Sequence, residues 1–521
     1  MQLDFDLGEP NLTLLHRAGL AGLWMTLRQL EGEDNQVENR PGRLNWELAE
    51  DERQLVHRRI TLRWEGNDRD VLDWLLRESF QISDEGLISL RGLNSKTMDI
   101  QSRLIVHQGI LGTFLQHNST HKSSGTTSMS FLIDETEFSV TFKALTSYVY
   151  QDFGSNLCDK QGQLLKKPIS VAGWLNPGAV VRHVAFSADT SFEEPLEQAF
   201  VLLFAPVACY YYILRSKLRD KRAQYALVVP EVTDLEVYAR YRQQPQLRNA
   251  GYKDFYASGL GDAGLRFLTY ETTAETAKTY KVQRCQVLTL GTVAWSTQQK
   301  TRTDLYMVEA DAQICENYQV CCNHLSDRVM VGKQGGFVAS SFARELIAEN
   351  LAKFRPWYIG ISEKVNSNDS FKQLTYERGG LHEMVQKVKW DAASEKLFVQ
   401  ACHEAIRFMY GQLAEQAKDR KEKPNFERIN VKIRTGLSRC KNADTFREFI
   451  TDFWSRAGRI PTLQEHWSEL MELITGRSNW KVARDLALLA LASYKGKGIT
   501  DSAEDSDTAG VEQEEDEDLI D

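Results

Sequence analysis

Residues 425–440, with the sequence NFERINVKIRTGLSRC, decide the fold expected for the last part of the chain. When successive residues are placed about 100° apart, as in an α-helix, the apolar side chains share one face. These side chains are Phe426, Ile429, Ile433, Leu437 and Cys440. Arg428, Lys432 and Arg439 fall within about 40° of one another on a second face. The pattern predicts a helix that packs through one face and offers the other to phosphate groups, or simply to solvent.

Helical patterns surround this stretch and predict an all-α C-terminal bundle. Four further helices are expected at 391–420, 443–457, 462–475 and 479–494. Several carry their own end signals, namely a capping box Thr462–Glu465 after Pro461, a stop at Gly476 and a cap at Asn479.

The N-terminal body is expected to be mixed, with a β-rich middle between about 100 and 330, so that the fold class is α+β. Apolar residues at helical spacing predict a helix within 11–30. Short β-patterned runs occur at 131–134, 138–142, 226–229 and 286–290. The apolar run 198–214 is interrupted by Pro206 and is too short for a confident membrane span, which favours a buried strand or hairpin.

The pattern becomes helical after Gly335-Gly336, where 337–354 is a candidate helix. The polar segment 366–380 is the best domain boundary. We therefore expect an N-terminal body at 1–365, a helical bundle at 381–497 and an acidic, disordered tail at 498–521.

The overall composition is that of a globular protein. The chain has 521 residues, 42% hydrophobic and 26% charged, which predicts about three domains and excludes fibrous or wholly disordered classes. Its eight cysteines lack the spacing of a disulfide framework, and its first residues are acidic where a secretory signal is basic. These features indicate a cytoplasmic protein.

Charge is unevenly distributed along the chain. Residues 501–521 hold eleven acidic residues and neither Lys nor Arg, whereas 381–500 holds 21 basic and 15 acidic residues. Without the acidic segment, the net charge of −9 becomes 63 basic against 61 acidic residues. A basic helical region next to an acidic tail suits a nucleic-acid partner, although acidic tails also serve simply as solubilising ends.

Two polar segments of the β-rich region are candidates for contacts with DNA. The segment 116–130 is predicted to be a loop that leaves a folded domain, and a second polar loop spans 92–97. Asn reads adenine edges, whereas Lys and Ser bind phosphate. The candidates are Asn94, Lys96, Asn118, Ser119, Lys122, Ser123 and Ser124. The alternative is a surface loop without a ligand.

Catalytic signatures are largely missing from the sequence. Residues 259–264 match the spacing of a dinucleotide-binding loop but lack a convincing strand before them. Cys315, Cys321, Cys322 and His324 are metal-capable side chains without a C-x-x-C pair. We therefore expect no catalytic residues, metal or cofactor. An enzyme centred on 259–324, either a metal-dependent nuclease or a nucleotide-binding protein, is the alternative.

Several strings along the chain resemble a known family. They are LLHRAGLAGLWM at 14–25, TFLQH at 113–117, PGAVVRH at 177–183, FRPWY at 354–358, SRCKNADTFR at 438–447, DFWSRAG at 452–458 and ARDLALLALASY at 483–494. In this order they resemble the large subunit of type I CRISPR effector complexes (Cascade), of the MYXAN subtype. The match spans about 10 to 495 and leaves the acidic tail outside.

The resemblance implies a non-catalytic subunit of a prokaryotic RNA-guided complex. Such a subunit recognises the protospacer-adjacent motif in double-stranded DNA, nucleates the R-loop and supports the displaced strand through a bundle that resembles the small subunits. The implied partners are CRISPR RNA, target DNA, and the backbone, handle-binding and small subunits. A recruited helicase-nuclease or transposition adaptor would then act in antiviral defence or transposition.

Further site residues follow from this expectation. The bundle residues expected to contact DNA are Lys418, Arg420, Lys421, Lys423, Arg428, Lys432, Arg434, Arg439 and Lys441. Arg182 and His183 are candidates for contacts with the guide handle or another subunit. Met384 follows Glu377-Arg-Gly-Gly, whose codons could spell a ribosome-binding site, so it is a candidate internal start for a separate small subunit. The alternative is an ordinary charged turn before a core or surface methionine.

Overall fold

The computed structural model describes residues 1–33, 37–51, 53–178, 192–215, 224–244, 248–269, 282, 284–295, 298–309, 311–332, 335–365, 367–476 and 479–496. Within these ranges the chain forms two compact units. The first contains the described residues within 1–215, 221–311 and 327–340. The second contains those within 312–326 and 341–521.

The first unit carries the strands of the described chain and its first eight helices. The strands are β1 (Gln2–Asp6), β2 (Asn45–Asp51), β3 (Val56–Arg63), β4 (Phe80–Ile82), β5 (Ile88–Leu90), β6 (His121–Ile133), β7 (Thr136–Tyr148), β8 (Ile169–Val171), β9 (Phe192–Glu194), β10 (Tyr210–Leu214), β11 (Gln224–Pro230), β12 (Tyr256–Ala257), β13 (Arg284–Trp295), β14 (Gln298–Glu309), β15 (Arg328–Gly332) and β16 (Gly335–Ala339). The helices are α1 (Leu14–Glu33), α2 (Asp68–Ser79), α3 (Ile100–Thr113), α4 (Gly154–Leu157), α5 (Leu196–Leu202), α6 (Ala205–Ala208), α7 (Leu235–Arg242) and α8 (Leu260–Thr269).

Two sheets and a long hairpin organise the first unit. A five-stranded sheet has the order β12-β10-β11-β13-β14, with β12 parallel to β10 and the other neighbours antiparallel. A three-stranded sheet has the order β1-β3-β2, and β6 pairs with β7 alone. Helix α1 packs on α5, α6 and α7. A Cβ atom at Gly22 would lie 2.0 Å from the carbonyl oxygen of Phe204, so only glycine permits this close approach.

The second unit is helical. Its helices are α9 (Ala312–His324), α10 (Phe342–Leu351), α11 (Ile361–Lys364), α12 (Asn368–Tyr376), α13 (Arg378–Lys387), α14 (Ala393–Asp419), α15 (Phe426–Arg439), α16 (Ala443–Ala457), α17 (Pro461–Glu465), α18 (Trp467–Thr475) and α19 (Trp480–Ser493). Helix α19 is apolar on nearly every side and packs against α13, α14, α15, α16 and α18, because a helix without a polar face is stable only when surrounded.

A buried carboxylate ties the short helix α11 to α19. Asp485 accepts hydrogen bonds from the backbone nitrogens of Gly360 at 2.7 Å and Ser362 at 3.0 Å, and from the Ser362 hydroxyl. Burial raises the pKa of Asp485, although these hydrogen bonds act in the opposite direction.

The expected α+β class is confirmed, with strands in the first unit and helices after residue 340. The predicted helices at 11–30, 391–420, 425–440, 443–457 and 479–494 correspond to α1, α14, α15, α16 and α19. Each predicted strand run overlaps β6, β7, β11 or β13. The expected domains 1–365, 381–497 and 498–521 stay a prediction, and residues 497–521 lie outside the described ranges.

The polar segment 366–380 is helical rather than a linker. Ser367 caps α12 by accepting a hydrogen bond from the backbone nitrogen of Ser370 at 3.1 Å. Glu377 caps α10, because its carboxylate accepts from the backbone nitrogens of Phe342 at 2.8 Å and Ala343 at 3.1 Å. These polar residues therefore satisfy helix ends within the second unit.

Three other local predictions were wrong. Part of the expected helix 337–354 is strand β16, and α10 begins only at Phe342. The helix expected at 462–475 is divided at His466. Thr462 lies inside α17 instead of capping it, and its hydroxyl donates to the Glu404 carboxylate at 2.8 Å, so the expected capping box is not formed. Gly476 ends α18 as expected, and Asn479 precedes α19 without a side-chain capping bond.

The apolar run 198–214 is buried from residue 199 onward, as expected, but it forms α5, α6 and β10 rather than one strand or hairpin. Pro206 lies in the first turn of α6, where its missing N–H costs nothing. Over the described ranges, no helix has the length and apolar character needed to cross a membrane.

Candidate nucleic-acid interface

Helix α15 has the two faces that its sequence predicts. Ile433, Leu437 and the adjoining Cys440 are buried, and Phe426 stacks on Tyr410 with ring centroids 4.5 Å apart. On the other face Arg428, Lys432 and Arg439 are exposed. Within the part of the chain that the structure describes, none of these three has a carboxylate within ion-pair distance. The charge is therefore available to a partner from outside the chain.

The connection between α14 and α15 adds to this charge. Lys418, Arg420, Lys421, Lys423 and, after α15, Lys441 are all exposed. Together with α15 they form a surface that we call the basic cluster, residues 417–441, which contains nine basic and three acidic residues. Lys421 has a φ of +59°, in the left-handed region, where it lets the backbone nitrogen of Glu422 bond to the Ala417 oxygen at 2.9 Å and close α14.

Arg434 belongs to a different environment from the rest of the basic cluster. Its guanidinium donates to the carbonyl oxygen of Ser367 at 3.2 Å and to Asn368, and it lies 5.2 Å from the centre of the Phe371 ring. These contacts attach α15 to the start of α12. The structure therefore gives Arg434 an internal partner, unlike its neighbours.

The segment 116–130 is a β-hairpin strand rather than a loop. Asn118 and Ser119 lie in a 3₁₀ turn, and Lys122, Ser123 and Ser124 lie in β6, where a bulge interrupts the pairing with β7. All five side chains are exposed. The prediction failed because the side chains of β6 from 122 to 128 are exposed on both faces, so the strand lacks the apolar alternation that marks half-buried strands.

The two edges of this hairpin differ. The outer edge of β7 is covered, because its Thr141 and Lys143 oxygens accept from Gln108 at 3.1 Å and His107 at 2.9 Å. The backbone nitrogen of Leu145 also donates to Gly86 at 2.9 Å. Strand β6 has β7 as its sole paired strand among the described residues. Its open edge therefore presents backbone groups together with hydroxyl and lysine side chains.

The other two residues predicted to contact DNA, Asn94 and Lys96, lie at the opposite end of α3 from Asn118. Asn94 and Lys96 belong to consecutive 3₁₀ turns before α3, whereas Asn118 follows it. The 14 residues of α3 span about 21 Å. Arg248 holds the first turn by donating to the Asn94 carbonyl oxygen at 3.0 Å. Sequence analysis missed Arg248, whose partner is 154 residues away and which carries no local signal.

The remaining predicted site residues are Arg182, His183 and Met384. Arg182 and His183 lie outside the described residues. Met384 is fully buried in α13. A Cβ atom at Gly380 would lie 2.2 Å from the carbonyl oxygen of His324, so the start of α13 packs closely on the end of α9. Glu377 and Gly380, which precede Met384, therefore have structural roles in addition to any ribosome-binding signal in their codons.

The described residues of the region proposed for an alternative enzyme, 259–324, lie mainly in α8, β13, β14 and α9. Residues 259–264 begin α8, and the carboxylate of Asp262 accepts from the Ser258 backbone nitrogen at 2.8 Å and hydroxyl at 2.9 Å. Cys315, Cys321, Cys322 and His324 follow one another along α9. In the described residues, no group of three or more His, Cys, Asp or Glu side chains is placed to hold a metal ion.

Comparisons with known proteins agree with the sequence motifs. The DevT N-terminal domain family matches residues 4–203, and the DevT C-terminal domain family matches 386–521. The second match includes the acidic tail, which the motifs had left outside the family. The chain is 28% identical over 545 residues to the CRISPR-associated protein Cas8a1/Csx13 of Myxococcus xanthus strain DK1622, covering 98% of this chain and 92% of that protein. These matches confirm the resemblance that the motifs indicated, so the chain is similar to the Cas8-type large subunits of CRISPR effector complexes, of the MYXAN subtype.

Proposed function

We propose that this chain is the non-catalytic large subunit of a type I, RNA-guided complex that recognises the protospacer-adjacent motif in double-stranded DNA, nucleates the R-loop and stabilises the displaced strand. The basic cluster carries the proposal. Apart from Arg434, which bonds to Ser367 and Asn368, its cations are exposed and have no carboxylate partner among the described residues. Exposed cations of this kind suit a phosphate backbone.

A few protein–DNA contacts suffice for this role, because the free-energy change of R-loop formation is close to zero. The RNA–DNA heteroduplex that forms is about as stable as the DNA duplex that it replaces, so a few protein–phosphate contacts shift the equilibrium. Sequence information comes from guide pairing, and the protein reads only the short motif. The chain therefore needs no active site of its own, and cutting or transposition falls to a recruited helicase-nuclease or transposition adaptor.

For the motif itself we favour the β6 edge over the turn before α3. The length of α3, about 21 Å, equals about six base-pair steps, so one short motif does not reach both sets of candidates. A two-stranded β-ribbon fits the major groove, and Asn118, Ser119, Lys122, Ser123 and Ser124 are exposed along or beside such a ribbon. Asn94 and Lys96 are the second choice, since Arg248 already engages their turn.

The test is assembly and DNA binding of the complete complex. The chain is co-expressed with the neighbouring backbone subunits and a CRISPR RNA, then purified and offered target duplexes with a randomised flanking motif. We expect R-loops that depend on the motif and disappear when this chain is omitted. Failure of the chain to co-purify with any RNA complex would refute the proposed function.

We also propose that Met384 starts a separate small subunit, residues 384–521. The start of the DevT C-terminal match at residue 386 favours this second product. Against it, the product lacks the first half of α13, including Leu381, which is fully buried in the full chain. Met384→Leu keeps the buried volume and removes the start codon. The short product should disappear from the purified complex, and its persistence at the same size would reject the idea.

A further inference from the structure

Phe354, in the FRPWY string, combines exposure with an unfavourable backbone conformation. Its side chain is 58% exposed, and its φ is +53°, in the left-handed region. Aromatic residues rarely adopt this conformation, because it raises the energy of the backbone. Backbone strain of this kind is concentrated at functional sites. Neither burial nor local backbone preference explains an aromatic side chain here, since glycine or asparagine would fit better.

The loop that carries Phe354 is firmly anchored. The Asn350 side chain donates to the carbonyl oxygens of Trp357 at 3.0 Å and Ile359 at 2.8 Å. The backbone nitrogen of Arg355 donates to the Asn350 oxygen at 3.0 Å, and that of Phe354 donates to the Leu351 oxygen at 3.1 Å. Trp357 itself is buried. The ring of Phe354 is therefore presented to solvent from a fixed backbone.

Basic residues precede and follow Phe354 in the sequence. Lys353 and Arg355 are exposed, and Lys353 is 3.2 Å from Glu349. Arg355 makes no ion pair among the described residues. An aromatic ring between two cations matches the chemistry of single-stranded nucleic acid, where a base stacks on the ring and its phosphates meet the cations. A purely apolar protein pocket would not require charge on both sides.

We propose that Phe354 is a stacking platform for one unpaired nucleobase, with Arg355 and Lys353 binding the adjacent phosphates. The inference rests on the proposed function for its place in the R-loop, where the displaced DNA strand and the guide RNA are the available single strands. DNA and RNA share the recognised chemistry, so the experiment separates them.

The test measures base-dependent binding by the full-length chain. Wild type and Phe354→Gly are titrated with fluorescent 15-nucleotide oligo(dT), with the same DNA containing abasic sites, and with oligo(U). We expect Phe354→Gly to weaken binding to intact strands by about five- to 150-fold, the range that loss of stacking of one base on an aromatic ring produces. Phe354→Trp should retain or improve binding. The tighter of the DNA and RNA arms identifies the strand.

Two features keep the experiment decisive. Glycine suits a φ of +53°, so Phe354→Gly should melt no lower than wild type, and lost binding will not reflect unfolding. Leu55→Gly, which changes another exposed residue with a φ of +53°, is the matched control and should leave binding unchanged. Abasic strands should bind wild type and Phe354→Gly equally.

The outcomes distinguish this inference from the proposed function. Unchanged binding of intact strands by Phe354→Gly, or no binding by wild type at all, would overturn the stacking site even if R-loops still form. Unchanged oligonucleotide binding together with loss of a Cascade subunit from the complex would show that Phe354 contacts protein instead. Loss of RNA-dependent assembly in wild type would refute the proposed function, whatever happens to oligonucleotides.

Discussion

A single neutral histidine joins three elements of the first unit. His107 of α3 accepts a hydrogen bond at Nδ1 from the backbone nitrogen of Ile88 at 3.1 Å. Its Nε2 is 2.9 Å from the Lys143 carbonyl oxygen and must donate, since a carbonyl oxygen only accepts. The ring is fully buried and meets Phe142 edge-on. Burial lowers the pKa of His107 to about 4, although the bond to Lys143 favours the charged form.

This histidine predicts a loss of stability in mild acid. In the unfolded chain, His107 binds a proton below about pH 6.5, whereas in the native protein it stays neutral down to about pH 4. Its stabilising contribution is therefore complete above pH 6.5 and is lost as the pH falls toward 4, by up to about 3 kcal/mol. His107→Gln should weaken the fold at pH 7 yet reduce this pH dependence.

Urea unfolding followed by tryptophan fluorescence at pH 7 and pH 5 measures the effect. His403 of α14 is the matched comparison, because burial also lowers its pKa to about 4 in the second unit. His107→Gln should leave the contribution of His403 to the pH dependence of stability unchanged. Identical pH dependence in wild type and His107→Gln would contradict the assignment.

Individual residues also show where sequence analysis ends. The faces of α15 could be predicted, because helical geometry alone places Arg428, Lys432 and Arg439 together. The partners of Arg434 and Arg248 could not, since each is set by tertiary contacts with residues far away in the sequence. The left-handed backbone at Phe354 also had no signal, because the FRPWY string contains neither the glycine nor the asparagine that usually marks a positive φ.

At the scale of elements, the β6–β7 hairpin is the largest departure from expectation. Its two central turn residues, Asp134 and Glu135, have φ values of +47° and +64°. A two-residue hairpin turn with both residues in this region is normally made by Asn-Gly or Asp-Gly. Glu135 provided no such signal, and β6 has no apolar alternation over 122–128, so the sequence indicated a loop.

The turn predicts a stabilising substitution. Glu135→Gly should raise the free energy of unfolding by about 1 kcal/mol, because glycine adopts a positive φ without steric cost. Asp134 keeps its ion pair with Lys253, at 2.6 Å. Thermal unfolding provides the measurement. Glu137→Gly, which places glycine in β7 instead, should destabilise the hairpin, and the same sign for both variants would argue against the turn.

The basic face of α15 predicts a measurable salt effect. Replacing Arg428, Lys432 and Arg439 together with alanine should reduce the slope of log affinity against log salt by about 2 to 3, at 0.7 to 0.9 per contact. The readout is binding of the assembled complex to target DNA between 50 and 200 mM salt, conditions over which phosphate contacts weaken strongly.

The control is a second triple variant that removes the same number of positive charges elsewhere on the chain. Arg63, Arg77 and Arg456 are exposed but already paired with carboxylates. Replacing these three with alanine should change the salt slope far less. If both triple variants lower it equally, or if the α15 variant alters neither slope nor R-loop yield, the basic cluster does not contact DNA.

For the whole molecule, opposite charges are separated along the chain. The basic cluster lies at 417–441, and eleven acidic residues lie at 501–521. The fold class and the family could be predicted from the sequence, because both depend on patterns spread over hundreds of residues. How residues 312–326 join the second unit could not, since this follows from packing of α9 on α10 and α13.

The charge separation predicts that the tail limits unspecific binding. Deleting 501–521 should increase the affinity of the complex for non-target DNA, and the increase should shrink at high salt, where charges are screened. Electrophoretic mobility shifts with unrelated duplexes measure it. A tail with Asn and Gln in place of its acids should behave like the deletion, whereas a shuffled acidic tail should behave like wild type. No gain after deletion would leave the tail a solubilising end.

The path of the chain between the two units affects how the protein is made. Helix α9 leaves the ribosome before α10, α13 and the rest of the second unit, on which it packs. At about 5 to 20 residues per second, synthesis of the roughly 60 residues from the end of α9 to the end of α13 takes about 3 to 13 seconds. During this interval the apolar side of α9 has no partner from its own unit. We therefore expect translation speed between α9 and α13, and chaperones that bind nascent chains, to affect the yield of folded protein.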